Sequence, residues 1–113
     1  MARILVVEPH AEVRELLERV VRRLGHEPVR PSGDDVLGEV DAAILEPAAL
    51  GGHDVGRALR KAGIPTVFVS IFPLSTELRE LEPVAHVLKP FALAELERAV
   101  LAATSTEPAT TAS

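Results

Sequence analysis

The sequence predicts a doubly wound α/β domain built on a parallel sheet. Three observations predict it: short apolar runs recur along the chain, stretches of helical apolar spacing separate them, and glycines close those stretches. Ile4-Leu5-Val6-Val7 is apolar at every position, as in a strand buried on both faces. From Glu12 the period changes, and Val13, Leu16, Leu17, Val20, Val21 and Leu24 form a helical stripe that Gly25 stops. Glu27 to Arg30 is a short second strand, interrupted by Pro28 and bounded by Pro31, and Asp34 to Val40 has room for one or two helical turns. Ala42 to Leu45 is the third strand. A helix is expected near Asp54 to Ala62, after Gly51-Gly52 and before Gly63. Thr66 to Ser70 is the fourth strand, and Leu74, Leu78 and Leu81 mark a short helix capped by Ser75 or Thr76. Val84 to Leu88 is the fifth strand, and Leu93, Leu96 and Val100 mark the last helix. Residues 1–103 therefore form one domain. Residues 104–113, all Thr, Ser, Ala, Pro or Glu, are expected to be a disordered tail. Five strands alternating with five helices, joined by right-handed crossovers, give helices on both faces of the sheet.

Composition narrows the function. With 47% hydrophobic residues the chain can bury a core, and with no cysteine it has neither a disulfide framework nor thiolate metal sites, which fits a reducing cytoplasm. The net charge is −5 and no Lys/Arg block tracks a phosphate backbone, so no nucleic-acid partner is expected. Arg19, Arg22 and Arg23 cluster, but Glu15 and Glu18 stand four residues before Arg19 and Arg22, as in i,i+4 pairs on a solvated face. A strand begins almost at Met1 and no run of about 18 apolar residues occurs, so neither a leader nor a membrane span is expected.

In open parallel sheets functional groups gather outside the carboxyl ends of the strands. That rule selects Glu8, Glu46, Ser70 and Lys89. His10 and His53 flank the same rim. They could join Glu8 and Glu46 around a transition metal, but no close His spacing supports this over ordinary surface histidines. No phosphate loop, nucleophile elbow or zinc signature is present, so an enzyme is not expected.

Four patterns occur in order: Ile4-Leu-Val-Val-Glu8 with Val13-Arg-Glu-Leu-Leu17; Asp41-Ala-Ala-Ile-Leu-Glu46; Pro65-Thr-Val-Phe-Val-Ser70; and Leu88-Lys-Pro-Phe91. Together they resemble the receiver domain of bacterial response regulators (CheY-like), over about residues 3 to 103. The resemblance implies a three-layer (βα)5 sandwich with strand order 2-1-3-4-5. It implies an acid pair after the first strand for Mg²⁺ and a phospho-accepting aspartate after the third. A Ser or Thr after the fourth strand and a Lys after the fifth would contact the phosphoryl group. Position by position, Glu8 matches the first acid, Pro9 falls on the second, and Glu46 falls on the acceptor. Ser70 and Lys89 match the hydroxyl and the lysine. Pro90 matches a proline preceded by a cis bond, which X-Pro bonds tolerate. His86 falls where an aromatic residue often rotates on activation, and Ile71 where a small residue leaves room for the phosphodonor. The loop after Glu46 is about two residues short, and the second and fourth helices are short.

Mg²⁺ demands near-octahedral oxygen coordination, and Pro9 brings no side-chain oxygen. Glu8 and Glu46 are thus weak Mg²⁺ candidates, and no cofactor is expected. Without the metal, phosphoryl transfer loses its main charge stabilisation. Glu46 instead has the reach for a contact with Lys89 that would hold the domain in one state; a plain pocket acid is its alternative role. The expected protein is a stand-alone degenerate receiver (pseudo-receiver) of a two-component or phosphorelay system. It would act through a histidine kinase, a downstream effector or a homodimer, using the face made by the family's fourth helix, fifth strand and fifth helix, here Leu74 to Val100. The alternatives are a conventional phospho-accepting regulator and a small-ligand or metal-binding regulatory module using the same pocket.

Overall fold

The computed structural model describes residues 1–32 and 36–105. Five strands, β1 (Arg3–Val7), β2 (Glu27–Val29), β3 (Ala42–Leu45), β4 (Thr66–Ser70) and β5 (Ala85–Leu88), pair in parallel in the order β2-β1-β3-β4-β5. Among the described residues the helices are α1 (Ala11–Arg23), α2 (Gly52–Lys61), α3 (Thr76–Arg79) and α4 (Leu93–Thr104), with a 3-10 turn at Val36–Glu39. The layering is that predicted from the alternating pattern, and the strand order is the one the receiver-domain resemblance implies. Among the described residues the second helix amounts to the 3-10 turn and α3 spans four residues, both short as expected. The predicted tail lies outside the described residues from 106 onward.

Strand periodicity divides the core. Ile4, Val6, Ala42, Ile44, Val67, Val69 and Val87 face α1 and α4, where Leu17, Val20, Val21, Leu96 and Val100 cover them. Leu5, Ala43, Leu45 and Phe68 face the other way and pack with Leu59 of α2 and Leu78 of α3. Both sets are almost fully buried. A one-residue slip of any central strand would exchange its two faces, so the register is tightly specified.

The helix ends follow from local chemistry. Gly25 and Gly63 have φ of 90° and 73°, where a side chain is strained. Each closes its helix with a pair of bonds: Gly25 N–H to Arg22 O with His26 N–H to Val21 O, and Gly63 N–H to Arg60 O with Ile64 N–H to Leu59 O. Ser75 caps α3 by accepting from the Leu78 N–H at 3.2 Å. Helix α2 begins at Gly52, two residues before the sequence suggests. Its first residue packs so closely on the preceding loop that a Cβ there would lie 2.5 Å from the Pro47 carbonyl oxygen and 3.0 Å from that of Glu46. The absent side chain lets the helix start against the loop that carries Glu46.

Neither expected i,i+4 pair on α1 forms an ion pair among the described residues: Glu15 and Arg19 are exposed but do not meet, and Glu18 turns elsewhere. Glu18 does not sit on the solvated face of α1; its side chain is 5% exposed and pairs with Arg30, just past β2, rather than with Arg22. The guanidinium engages both carboxylate oxygens, through Nε at 2.8 Å and Nη2 at 3.1 Å. Burial turns Glu18 away from its helical neighbours, because α1 packs that edge toward the end of β2. The hydrogen bonds from Arg30 hold the Glu18 carboxyl below the usual carboxylate range, against the opposing effect of burial. A depressed folded pKa stabilises the native state above the unfolded carboxylate pKa, and that contribution is lost as pH falls through the folded value. Glu18→Gln should therefore flatten the loss of stability on acidification below about pH 4.5, measured by urea unfolding at stepped pH. An unchanged acid slope would show that the pair contributes nothing to linkage.

Candidate functional site

The carboxyl ends of β1, β3, β4 and β5 converge as the strand order dictates, and they bring together residues far apart in the chain. Glu8 follows β1, Glu46 follows β3 and Lys89 follows β5. The Lys89 ammonium lies 2.9 Å from Glu8 Oε1 and 2.9 Å from Glu46 Oε1. The remaining oxygen of each glutamate turns back on its own loop: Glu8 Oε2 accepts from the His10 N–H, and Glu46 Oε2 from the Ala48 N–H, both at 3.1 Å. All four carboxylate oxygens therefore already hold a donor. The side chains of Glu8, Glu46 and Lys89 are 2%, 9% and 16% exposed, so the cluster is largely shut from water.

Its electrostatics follow from counting. Two carboxylates and one ammonium leave a net charge of −1, and the ammonium stands between the two acids. Burial disfavours the Lys89 charge, but hydrogen bonds and Coulomb attraction from Glu8 and Glu46 outweigh it and hold the ammonium above the ordinary lysine range. A raised folded pKa makes this stabilisation fully present below the unfolded lysine pKa, and it fades only as pH rises through the folded value. At neutral pH the cluster is intact.

These residues do not fit Mg²⁺. The ion needs several free oxygen ligands in near-octahedral array; here two carboxylates are committed to an ammonium and to backbone amides, and Pro9 adds no ligand. Among the described residues, no group of three or more His, Cys, Asp or Glu side chains is placed to hold a metal ion. His10 stands at the start of α1, where its N–H serves Glu8, and His53 lies in the groove between α2 and α3 with Arg57 and Glu80.

The other selected residues are nearby but differently engaged. Ser70 is fully buried, and its hydroxyl accepts from the Phe72 N–H at 3.2 Å. Among the described residues that hydroxyl makes no bond to Glu46 or Lys89, although the Lys89 N–H donates to the Ser70 carbonyl at 2.9 Å. The Lys89-Pro90 peptide is cis. His86 pairs in register with Phe68; its Nε2 is buried and has no hydrogen-bond partner among the described residues. Ile71 is 62% exposed and walls an apolar cleft of about 390 Å³ with Val13, Leu16, Lys89, Pro90 and Phe91. Two site residues were not selected from the sequence. Arg14 donates from Nη1 to the Glu8 carbonyl at 3.1 Å, and Arg30, just past β2, lines the same cleft. The strand-end rule that selects Glu8 also selects Arg30, one residue past β2; Arg14 carries no comparable signal.

The chain resembles a response regulator receiver protein from Burkholderia phymatum at 22% identity, TM-score 0.75, covering 95% of this chain and 98% of that one. It resembles the receiver domain of a sensor histidine kinase from Pseudomonas aeruginosa at 20% identity, TM-score 0.73, covering 93% and 98%; that structure holds a magnesium ion in its active-site cleft. It resembles the response regulator TrrA from Thermotoga maritima, solved with Mg²⁺-BeF, at 25% identity, TM-score 0.73, covering 88% and 96%. No family model and no curated protein sequence matches the chain. The fold is that of a response-regulator receiver domain, over nearly the whole chain.

Proposed function

We propose that this chain is a receiver-type signalling module of a two-component or phosphorelay system whose acid pocket is closed by its own lysine. It acts through contacts with a signalling protein, a histidine kinase or a downstream effector, rather than by phosphoryl transfer. Phosphorylation at residue 46 is weak or absent. One observation carries this reading: Lys89 bridges Glu8 and Glu46 at 2.9 Å each, with every carboxylate oxygen already occupied. A metal and a phosphoryl group would each have to displace that bridge. Glutamate at 46 also places its carboxylate one methylene further out than aspartate, on the ammonium itself. The surface offered to a partner is α3, β5 and α4, where Val84, Leu88, Leu93 and Leu101 are 43–53% exposed.

Amide NMR spectra with Mg²⁺, and then with added beryllofluoride, test this in the natural chain and in Glu46→Asp. The natural chain is expected to stay silent at Ser70, His86 and Lys89. A response in Glu46→Asp alone locates the block at residue 46; silence in both extends it to Pro9 and Ile71. Saturable shifts at those three residues in the natural chain would refute the proposal and indicate a conventional receiver.

A further inference from the structure

We propose that the cleft between Arg14 and Arg30 binds a small organic oxyanion, a phosphate monoester or a carboxylate, that carries a compact apolar group. The cleft holds about 480 Å³ beside the acid cluster. It is bounded by Pro9 after β1, Arg14 of α1, Arg30 and Pro31 after β2, and Ala49 and Leu50 of the β3–α2 loop.

Charge pairing singles out Arg14. Among the described residues three carboxylates stand close by, and all are taken: Glu8 and Glu46 by Lys89, and Glu18 by Arg30. Arg14 has no carboxylate partner among the described residues. Among those residues its one hydrogen bond is the neutral contact from Nη1 to the Glu8 carbonyl, and its buried Nε–H has no acceptor there. A guanidinium is always charged, and its planar fork matches an oxyanion. A buried donor left unmade is a standing cost that a suitable acceptor removes. Because Nε is shielded from solvent, the anion meets the outer edge of the guanidinium first, and a small turn of the side chain brings Nε–H into the pair.

Arg30 supplies the second cation. Glu18 occupies its Nε and Nη2, which leaves Nη1 on a side chain that is 60% exposed. The rim sets the rest of the ligand. Pro9, Pro31, Ala49 and Leu50 carry no charge, and Leu50 is fully exposed among the described residues. A bare inorganic ion leaves that rim uncovered, whereas an apolar substituent covers it. Since Arg14 also holds the Glu8 backbone, occupancy of the cleft bears directly on one end of the Lys89 bridge. The inference goes beyond the signalling role proposed above and does not depend on it: a chain that responded to beryllofluoride would leave it standing.

The test is an NMR titration of the full chain with phenyl phosphate, benzoate and inorganic phosphate, at ionic strength held constant with sodium chloride. Saturable shifts should centre on the Arg14 Nε–H and the amides of His10, Ala49 and Leu50. Phenyl phosphate should bind at least about tenfold more tightly than inorganic phosphate, if the rim contributes as buried apolar surface does. The comparison with benzoate assigns the headgroup. Arg14→Gln should weaken binding by about tenfold or more, in keeping with loss of a charged hydrogen bond. Leu50→Ser, at an exposed position outside the core, should remove the preference for phenyl phosphate and leave inorganic phosphate unchanged. That second variant keeps the test decisive if Arg14→Gln folds poorly. Shifts that track chloride alone, that survive both substitutions, or that centre on Ser70 and Lys89 would overturn the inference.

Discussion

Lys89→Met should destabilise the protein by about 3 kcal/mol at pH 7, a fall in Tm of roughly 15 °C for a domain of this size. The substitution keeps the apolar stem and removes only the charge. It leaves Glu8 and Glu46 facing each other with side chains 2% and 9% exposed and no cation between them. Breaking one side of a buried ion cluster strands the other side, which costs more than the cluster contributes in total. The estimate sits at the low end of the usual range because Lys89 is itself 16% exposed and some water reaches the site. Two controls separate this from simple loss of packing. The deficit should shrink as pH is lowered into the carboxylate range, because protonation discharges the stranded acids. Adding Glu8→Gln and Glu46→Gln to Lys89→Met should recover most of the loss. Urea unfolding of the natural chain and both variants measures all three; a Lys89→Met variant within about 0.5 kcal/mol of the natural chain would show that the bridge holds nothing.

Gly52→Ala should cost about 1–3 kcal/mol and loosen the acid cluster together with the fold. Its Cβ would lie 2.5 Å from the Pro47 carbonyl oxygen, 2.8 Å from the Pro47 carbonyl carbon and 3.0 Å from the Glu46 carbonyl oxygen. All three are backbone atoms of the loop that aims Glu46, so relief comes only by moving that loop. Gly56→Ala is the informative comparison. There the nearest atom, at 2.9 Å, is the Cδ1 methyl of Leu81, the end of a side chain that can turn aside. The helix also gains from alanine at that position. Thermal melts should therefore rank Gly52→Ala well below Gly56→Ala, and only Gly52→Ala should shift the Ala48 amide that Glu46 holds. Equal melting temperatures would mean that the loop has slack, and that Glu46 is not placed by the start of α2.

Much of the fold was legible because the sequence patterns are local. The apolar runs at Ile4–Val7 and Val67–Val69, the stripe of α1, and Gly25 and Gly63 each specify their element without reference to the rest of the chain. The start of α2 was not legible. It depends on a contact between Gly52 and the Pro47 carbonyl, and nothing in the run Pro47-Ala-Ala-Leu-Gly-Gly52 signals that approach. The acid cluster was legible as a list of strand ends, and its Glu46–Lys89 contact followed from side-chain length. The engagement of Glu8 by the same ammonium rests on where the sheet aims three separate termini. Glu18 shows the limit most clearly. Helical spacing offers it Arg22, but tertiary packing buries it and delivers Arg30 across 12 residues of chain.

The Lys89 bridge also has a place in time. It joins positions 81 residues apart to Glu8 and 43 residues apart to Glu46, so it closes two long loops at once. Contacts of that span reward the chain only after the intervening strands have docked. Lys89 is therefore expected to close its bridge late, once β1, β3, β4 and β5 lie side by side. An interaction formed after the rate-limiting step slows unfolding and leaves the folding rate almost untouched. The expected behaviour is that of a latch: Lys89→Met should speed unfolding and leave the folding rate almost unchanged in stopped-flow kinetics.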